Sequence, residues 1–139
     1  MNETLSRYGS ILVIDDHNMV GISLRLLIGH LFREFYHTKE GAAGIALARQ
    51  HQPGLVIVDN QLPDLPGDAV VSQIRTHCPQ TRILGYSFST GGVTIRKMYV
   101  AGVNGYVDKS ETDTELSKAV ETLMEGKEYF SKEAREQIH

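Results

Sequence analysis

The chain has 139 residues and a formal net charge of −3, from 14 basic and 17 acidic side chains. This length is typical of one domain with its own hydrophobic core, and the charge balance argues against nucleic-acid binding over the whole surface. The single cysteine, Cys78, cannot form an internal disulfide and has no partner at zinc-site spacing. Because no apolar run suits a transmembrane helix or a secretory signal, we expect a cytoplasmic domain that binds no membrane.

Short, β-rich apolar runs alternate along the chain with segments of helical periodicity. The runs cover residues 11–14, 55–58, 82–86 and 105–107, and a weaker one covers residues 32–36. Five segments carry apolar side chains on one face of a helix. These segments are marked by Val20 to Leu31, Ala43 to Leu47, Val70 to Ile74, Ile95 to Tyr99 and Leu116 to Leu123.

This alternation predicts an α/β fold, a doubly wound parallel sheet of five strands with five helices on its two faces. We place the domain at residues 10–126, after an N-terminal tail of residues 1–9. Residues 127–139 are interpreted as a C-terminal extension or the start of a linker. This polar stretch would hold one short helix, with Ser131 as its N-cap and Glu133 in its first turn.

Polar side chains follow four of the five predicted strands. They are Asp15 and Asp16, Asp59, Ser87, and Asp108 with Lys109. Each residue taken alone is equally well explained as a turn, capping or surface residue. Parallel strands end at one edge of a sheet, so together these residues favour a shared crevice there.

Clustered carboxylates restrict what such a crevice binds. Two like charges about 4 Å apart repel by roughly 4 kcal/mol at an effective dielectric constant near 20. The cluster therefore needs a raised pKa or a bound cation, and oxygen ligands suit Mg²⁺ or Ca²⁺ better than zinc. With Lys109 and Ser87 beside it, such a cation would help to hold a phosphoryl group.

In this order and spacing, the residues resemble the receiver domains of two-component response regulators over roughly residues 10–126. The motifs are the pair Asp15-Asp16, the D-x-x-L-P-x-L-x-G stretch from Asp59 to Gly67, Ser87, and the G-Y-x-x-K stretch from Gly105 to Lys109. The amino-acid sequence of residues 96–110 and 126–131 is most similar to that of receivers that precede a LuxR-type helix-turn-helix domain.

The resemblance implies a flavodoxin-like (CheY-like) sheet of strand order 2-1-3-4-5 and a signalling switch rather than an enzyme. Asp59 would accept a phosphoryl group from a sensor histidine kinase with Mg²⁺ as cofactor. The resemblance makes Asp16 a direct Mg²⁺ ligand and Asp15 an outer ligand through water. Asp59 and the backbone carbonyl of Gln61 would complete the protein's share of the metal shell.

The resemblance also assigns the parts that respond to phosphorylation. Lys109 and, after modification of Asp59, Ser87 would bond phosphoryl oxygens, and Tyr106 would swing inward as Ser87 moves. Asn60 and Phe88 would lie at the site rim. The surface of the fourth helix, fifth strand and fifth helix would then change and control an output such as transcription. A homodimer through this surface would pair the charges of Arg96, Lys97, Lys118 and Glu121, and the domain itself would bind no nucleic acid.

Two residues depart from the family pattern, and two others occupy positions that vary within the family. Ser110 follows Lys109, where many receivers have a proline with a cis peptide bond. Phe88 stands where a small residue is usual, either as a partial lid over the site or packed beside the fourth helix near Met98 or Tyr99. Gln61 and Ser89 occupy variable positions that tune dephosphorylation in this family.

Three other functions are alternatives to a signalling switch, and particular residues disfavour each of them. A Mg²⁺-dependent aspartyl-phosphate hydrolase generally needs a second Asp two residues after its nucleophile, where this chain has Gln61. A nucleotide or flavin binder is disfavoured because the turn after the first strand is DDHN rather than glycine-rich. The complete acidic set argues against a phosphorylation-dead interaction module. His17 follows the acidic pair at the rim, and the sequence gives it no role.

Overall fold

The computed structural model describes residues 7–88 and 91–138, so Ser89 lies outside the described residues. Within these ranges six strands and six helices are present. The strands are β1 (Tyr8–Ile14), β2 (Phe32–Thr38), β3 (Leu55–Val58), β4 (Arg82–Ser87), β5 (Gly105–Asp108) and β6 (Tyr129–Phe130). The helices are α1 (Asn18–Ile28), α2 (Gly41–His51), α3 (Gly67–His77), α4 (Gly92–Ala101), α5 (Asp113–Met124) and α6 (Lys132–Ile138).

The strands form one parallel sheet in the order β2-β1-β3-β4-β5-β6. The predicted flavodoxin-like order is confirmed over its five strands, but the prediction of five strands and five helices is wrong. The chain continues into β6, which pairs with the outer edge of β5, and then into α6. At the other end, β1 begins at Tyr8, two residues before the predicted start of the domain.

The sheet is covered on both faces because side chains alternate along each strand. One buried layer packs under α2, α3, α4 and α6, and it includes Leu12, Val56 and Ile83. The opposite layer packs under α1 and α5, and it includes Ile11, Ile57 and Leu84. This two-sided burial explains why the strands are apolar at nearly every position, and it fixes which strand ends meet at one edge.

The last segment packs as part of the domain. Ser131 caps α6, since its hydroxyl accepts a 3.4 Å hydrogen bond from the Ala134 N–H, and Glu133 lies in the first turn as predicted. Ala134 is fully buried in the layer beneath α4, and the Phe130 ring packs edge-on against Tyr99 at 5.6 Å. The sheet and the core thus extend through the residues we interpreted as an extension or linker.

No helix within the described ranges is both long enough and apolar enough to cross a membrane. The longest of them, α5, has 12 residues, whereas a spanning helix needs about 20.

Candidate functional site

The carboxyl ends of β1, β3, β4 and β5 bring the predicted polar residues to one edge of the sheet. Backbone hydrogen bonds hold these ends in register: the Asp59 N–H donates to Ile14 at 3.1 Å, and the Lys109 N–H donates to Ser87 at 2.9 Å. Gly67 opens α3 close behind Asp59, where a Cβ would lie only 2.5 Å from the Asp59 carbonyl oxygen. The glycine that ends the predicted motif therefore lets the helix approach the site.

Asp59 is a buried carboxylate, with 3% of its surface exposed. The Ser87 hydroxyl donates to Oδ1 at 2.6 Å, the Lys109 ammonium donates to Oδ2 at 2.9 Å, and the Gln61 N–H donates to Oδ1 at 3.1 Å. Burial acts to raise the pKa of Asp59, but the hydrogen bonds from Ser87, Lys109 and Gln61 together hold that pKa below its usual value. The Asp59 carboxylate is therefore ionised at neutral pH.

Lys109 bridges two buried carboxylates. Its Nζ lies 2.7 Å from Asp15 Oδ2 and 2.9 Å from Asp59 Oδ2. Burial acts to lower the pKa of Lys109, but its bonds to Asp15 and Asp59 outweigh that effect and raise the pKa above its usual value. Lys109 therefore keeps its positive charge beside Asp59 at neutral pH.

The peptide bond between Lys109 and Ser110 is trans, although many receivers have a cis bond there. The turn is held by Asp108, whose Oδ1 accepts hydrogen bonds from the Ser110 N–H at 2.8 Å and the Ser110 hydroxyl at 2.7 Å. Asp108 therefore stabilises the turn after β5, and its carboxylate does not join the cluster around Asp59.

The acidic pair supplies one buried and one exposed carboxylate. Asp15 is buried beside Lys109, whereas Asp16 is exposed at the mouth of the crevice. One oxygen from each of Asp15, Asp16 and Asp59 lies within 4.8 Å of the others and of a His17 ring nitrogen. Three carboxylates, one open to solvent, are a donor set that fits a hard divalent cation such as Mg²⁺ with water completing its shell.

Two histidines contact the acidic pair, and the sequence did not reveal their contacts. His17 Nδ1 lies 2.9 Å from Asp15 Oδ1. The only indication of this contact in the sequence is that His17 directly follows the acidic pair. His37, at the end of β2, donates from Nε2 to the Asp15 carbonyl oxygen at 2.8 Å. Gly21 makes room for this ring, since a Cβ there would come within 2.6 Å of His37 Cε1. Such a contact between β2 and α1 cannot be read from spacing.

Tyr106 is turned inward and only 1% exposed. Its hydroxyl accepts a 3.0 Å hydrogen bond from the side-chain amide of Asn60. Asn60, which we expected at the rim, is instead buried between Asp59 and Tyr106, because its amide is drawn to the tyrosine hydroxyl. The residue that follows Asp59 in the chain thus bonds Tyr106, the predicted switch residue.

Phe88 lies beside Lys109 at the mouth of the site. Its side chain is 62% exposed, and Lys109 Nζ lies 5.6 Å from the ring centroid. The ring lines a cleft of about 400 Å³ with residues of α1 and α5, among them Met19, Leu27 and Leu116. Phe88 therefore faces α1 and α5 rather than packing beside α4.

Comparison with known proteins agrees with this architecture. The family model for the response regulator receiver domain matches residues 11–121. The chain is 29% identical to the virulence-factor regulator BvgA of Bordetella pertussis and 30% identical to the transcriptional regulatory protein MctR of Rhizobium johnstonii. The matches cover 88% and 87% of this chain but only 59% and 58% of the two relatives.

A solved structure shows the same fold. The crystal structure of a LuxR-family two-component response regulator from Aurantimonas sp. SI85-9A1 superposes with a TM-score of 0.85. It is 28% identical, and the match covers 93% of this chain and 94% of that one. The predicted likeness to LuxR-type regulators is thereby confirmed.

The site is an acidic crevice in which a lysine and a serine hydroxyl bond a buried aspartate, at one edge of a parallel flavodoxin-like sheet. This combination defines a phosphorylation-dependent switch of two-component signalling. The chain belongs to the response regulator receiver domain family.

Proposed function

We propose that Asp59 is the phosphoacceptor and that the donor is the phosphohistidine of a sensor histidine kinase. The supporting observation is the pair of bonds from Ser87 and Lys109 to the two oxygens of the buried Asp59 carboxylate. In the transfer, an Asp59 oxygen forms a bond to phosphorus as the bond from phosphorus to the histidine nitrogen breaks. The product is an acyl phosphate on Asp59 and a free histidine on the kinase.

The residues around Asp59 fit this reaction. Asp15, Asp16 and Asp59, with the backbone carbonyl of Gln61, would hold Mg²⁺, which supplies neutralisation of charge on the phosphoryl oxygens. Lys109 and Ser87 already bond the carboxylate, so each exchanges an Asp59 oxygen for a nearby phosphoryl oxygen once the group arrives. We propose no enzymatic function beyond this self-catalysed transfer and the hydrolysis of the acyl phosphate by water, which releases inorganic phosphate and restores the Asp59 carboxylate.

The signal leaves the site through strands β4 and β5. Ser87 ends β4, and Asn60, next to Asp59, bonds the hydroxyl of Tyr106 in the middle of β5. A phosphoryl group adds about −1.5 to −2 charges and attracts the hydroxyl of Ser87. The resulting movement reaches Tyr106 and then α4, whose Met98 packs in the same buried layer.

We propose that the surface of α4, β5 and α5 is where a second copy or an output domain reads this change. Lys97, Lys118 and Glu121 are exposed on α4 and α5, as a charge-paired dimer requires. Arg96 instead lies 3.4 Å from the Gln137 side-chain oxygen of α6. The same-chain segments β6 and α6 cover part of this face, so a dimer there would include α6 in its interface.

Control of transcription, in the cytoplasm, is the output we propose. BvgA and MctR are named as regulators of this kind, and this chain spans less than two-thirds of their length. The remaining length of such relatives is where an output domain would lie. The receiver domain would regulate that part without contacting nucleic acid itself.

Intact-mass measurement after incubation with acetyl phosphate and Mg²⁺ tests the assignment. We expect one added phosphoryl group on the wild type and on Asp68→Ala, an acidic-residue control on α3, and none on Asp59→Ala. Excess EDTA should also prevent labelling of the wild type. Labelling of Asp59→Ala, or full labelling in EDTA, would contradict the proposal.

NMR of the phosphorylated protein tests the switch separately. Chemical-shift changes should extend from Asp59 through α4, β5 and α5. Changes confined to the neighbourhood of Asp59 would contradict the switch but not the phosphoacceptor. Sedimentation before and after phosphorylation tests the dimer, and an unchanged oligomeric state would reject that part alone.

A further inference from the structure

The His17 ring sits among the three carboxylates of the acidic cluster. Its Nδ1 lies 2.9 Å from Asp15 Oδ1, 3.3 Å from Asp16 Oδ1 and 3.8 Å from Asp59 Oδ2. The backbone is held in place as well, because the His17 N–H donates to Asp15 Oδ1 at 2.9 Å. The side chain is 59% exposed, so the ring has room to adjust and is open to ions from solvent.

These separations match those of ligand atoms around one octahedral ion. Two donors bonded at about 2.1 Å lie about 3.0 Å apart in adjacent positions and about 4.2 Å apart in opposite ones. The distances from Nδ1 to Asp15 and Asp16 fit adjacent positions, and the distance to Asp59 falls between the two values. An ion held by the three aspartates would therefore be within reach of the imidazole nitrogen.

A nitrogen donor changes which ion such a site prefers. Mg²⁺ takes oxygen ligands and gives up water reluctantly, whereas imidazole favours first-row transition metals. A neutral imidazole carries one proton, and moving it from Nδ1 to Nε2 frees the Nδ1 lone pair for a metal. Lys109 contacts Asp15 Oδ2 and Asp59 Oδ2, and its Nζ lies 3.5 Å from His17 Nδ1. The other oxygen of Asp15 and the Asp16 carboxylate lie beside the ring and are open to an ion.

We propose that His17 is a fourth side-chain ligand, beside the three aspartates, and that the site takes Mn²⁺ in preference to Mg²⁺. This rests on the proposed metal site, with Asp15, Asp16 and Asp59 as the oxygen donors. Mn²⁺ has the charge and octahedral geometry the aspartates require, and it accepts a nitrogen ligand more readily than Mg²⁺ does. The kinase reaction would then proceed with either ion, but Mn²⁺ would fill the site at lower concentration.

Pulsed electron paramagnetic resonance of Mn²⁺ bound to the wild-type protein detects the ligand directly. We expect modulation from a directly bound ¹⁴N nucleus. We expect it to persist in His30→Phe, a control in the turn after α1, and to disappear in His17→Phe. The absence of nitrogen modulation in the wild type, or its persistence in His17→Phe, would overturn the proposal.

Calorimetric titration with each ion gives a second measurement. The His17→Phe substitution should weaken Mn²⁺ binding by about tenfold or more and Mg²⁺ binding by less than about threefold. An unchanged ratio of the two affinities would overturn the role of His17 while leaving the aspartate site intact. If neither ion binds the wild type, the proposed metal site fails together with this inference.

Discussion

The ring of Tyr106 packs directly against the backbone of Gly85, its partner in the neighbouring strand. A Cβ at Gly85 would lie 2.6 Å from Cδ2 of Tyr106 and 3.3 Å from Cε of Met98. A Cβ atom essentially never lies 2.6 Å from another carbon that is not bonded to it. The missing side chain at Gly85 is therefore what lets the tyrosine lie inward under α4.

We predict that Gly85→Ala forces Tyr106 out of its position. Overpacking of a filled core costs about 1–3 kcal/mol of unfolding free energy, which urea denaturation would measure. Gly9→Ala in β1 is the matched control, because nothing lies within 4 Å of a Cβ there. Equal stabilities of the two variants would show that the tyrosine pocket adapts without strain.

Truncation of Phe88 tests the partial lid. The ring lies over Lys109 at the mouth of the site. As a partial lid it would hinder water and small phosphodonors alike. We expect Phe88→Ala to speed both phosphorylation by acetyl phosphate and spontaneous loss of the phosphoryl group by at least about twofold. The fold and the Mg²⁺ affinity should be nearly unchanged.

Leu26→Ala, another exposed apolar truncation on α1, is the control for the Phe88 measurement and should alter neither rate. Both rates of each variant can be followed by intact mass. If neither rate rises in Phe88→Ala while the variant stays folded, the ring only covers the cleft beside α1 and does not gate the site.

Asp64 should make stability depend on pH in the acid range. From the loop after β3, its carboxylate accepts hydrogen bonds from the Gly41 and Ala42 N–H groups at 2.7 and 2.9 Å, at the start of α2. These bonds from Ala42 and Gly41 lower the pKa of Asp64 in the folded protein. The stability that the Asp64 carboxylate contributes to the fold is therefore fully present above its unfolded-state pKa. This stability is lost as the pH falls through the folded-state pKa.

We predict that Asp64→Ala lowers the Tm at pH 7 and that its difference from the wild type shrinks as the pH falls below about 4. Thermal unfolding followed by circular dichroism between pH 7 and pH 3 measures this difference. A Tm difference that stays constant across that range would mean that the carboxylate charge of Asp64 does not stabilise α2.

The sequence was sufficient to predict the main sheet because both of its faces are buried. Strands β3 and β5 are apolar at nearly every position, and the polar residue after each strand marks the functional edge. The sequence did not predict β6, since Tyr129 and Phe130 are too few to show a period and become a strand only through pairing with β5. Local pattern carries little information about such pairing.

The sequence predicted which residues form the candidate site, but it did not predict all of their contacts. Spacing placed Asp59, Ser87 and Lys109 at one edge because strand ends converge there. It did not show that Asn60 turns inward to the Tyr106 hydroxyl or that His17 turns toward three carboxylates. Those contacts depend on side-chain rotamers and on packing between distant elements, which no single segment encodes.

The short strand β6 also determines how copies of this domain can meet. It leaves a terminal edge only two residues long, and at the opposite edge β2 carries the exposed charged side chains of Arg33 and Glu34. Long, flat, apolar edges recruit strands from other chains, and short or charged ones do not. The sheet is thus protected from growing by backbone pairing, and neighbouring molecules have to recognise one another through side chains on the helices.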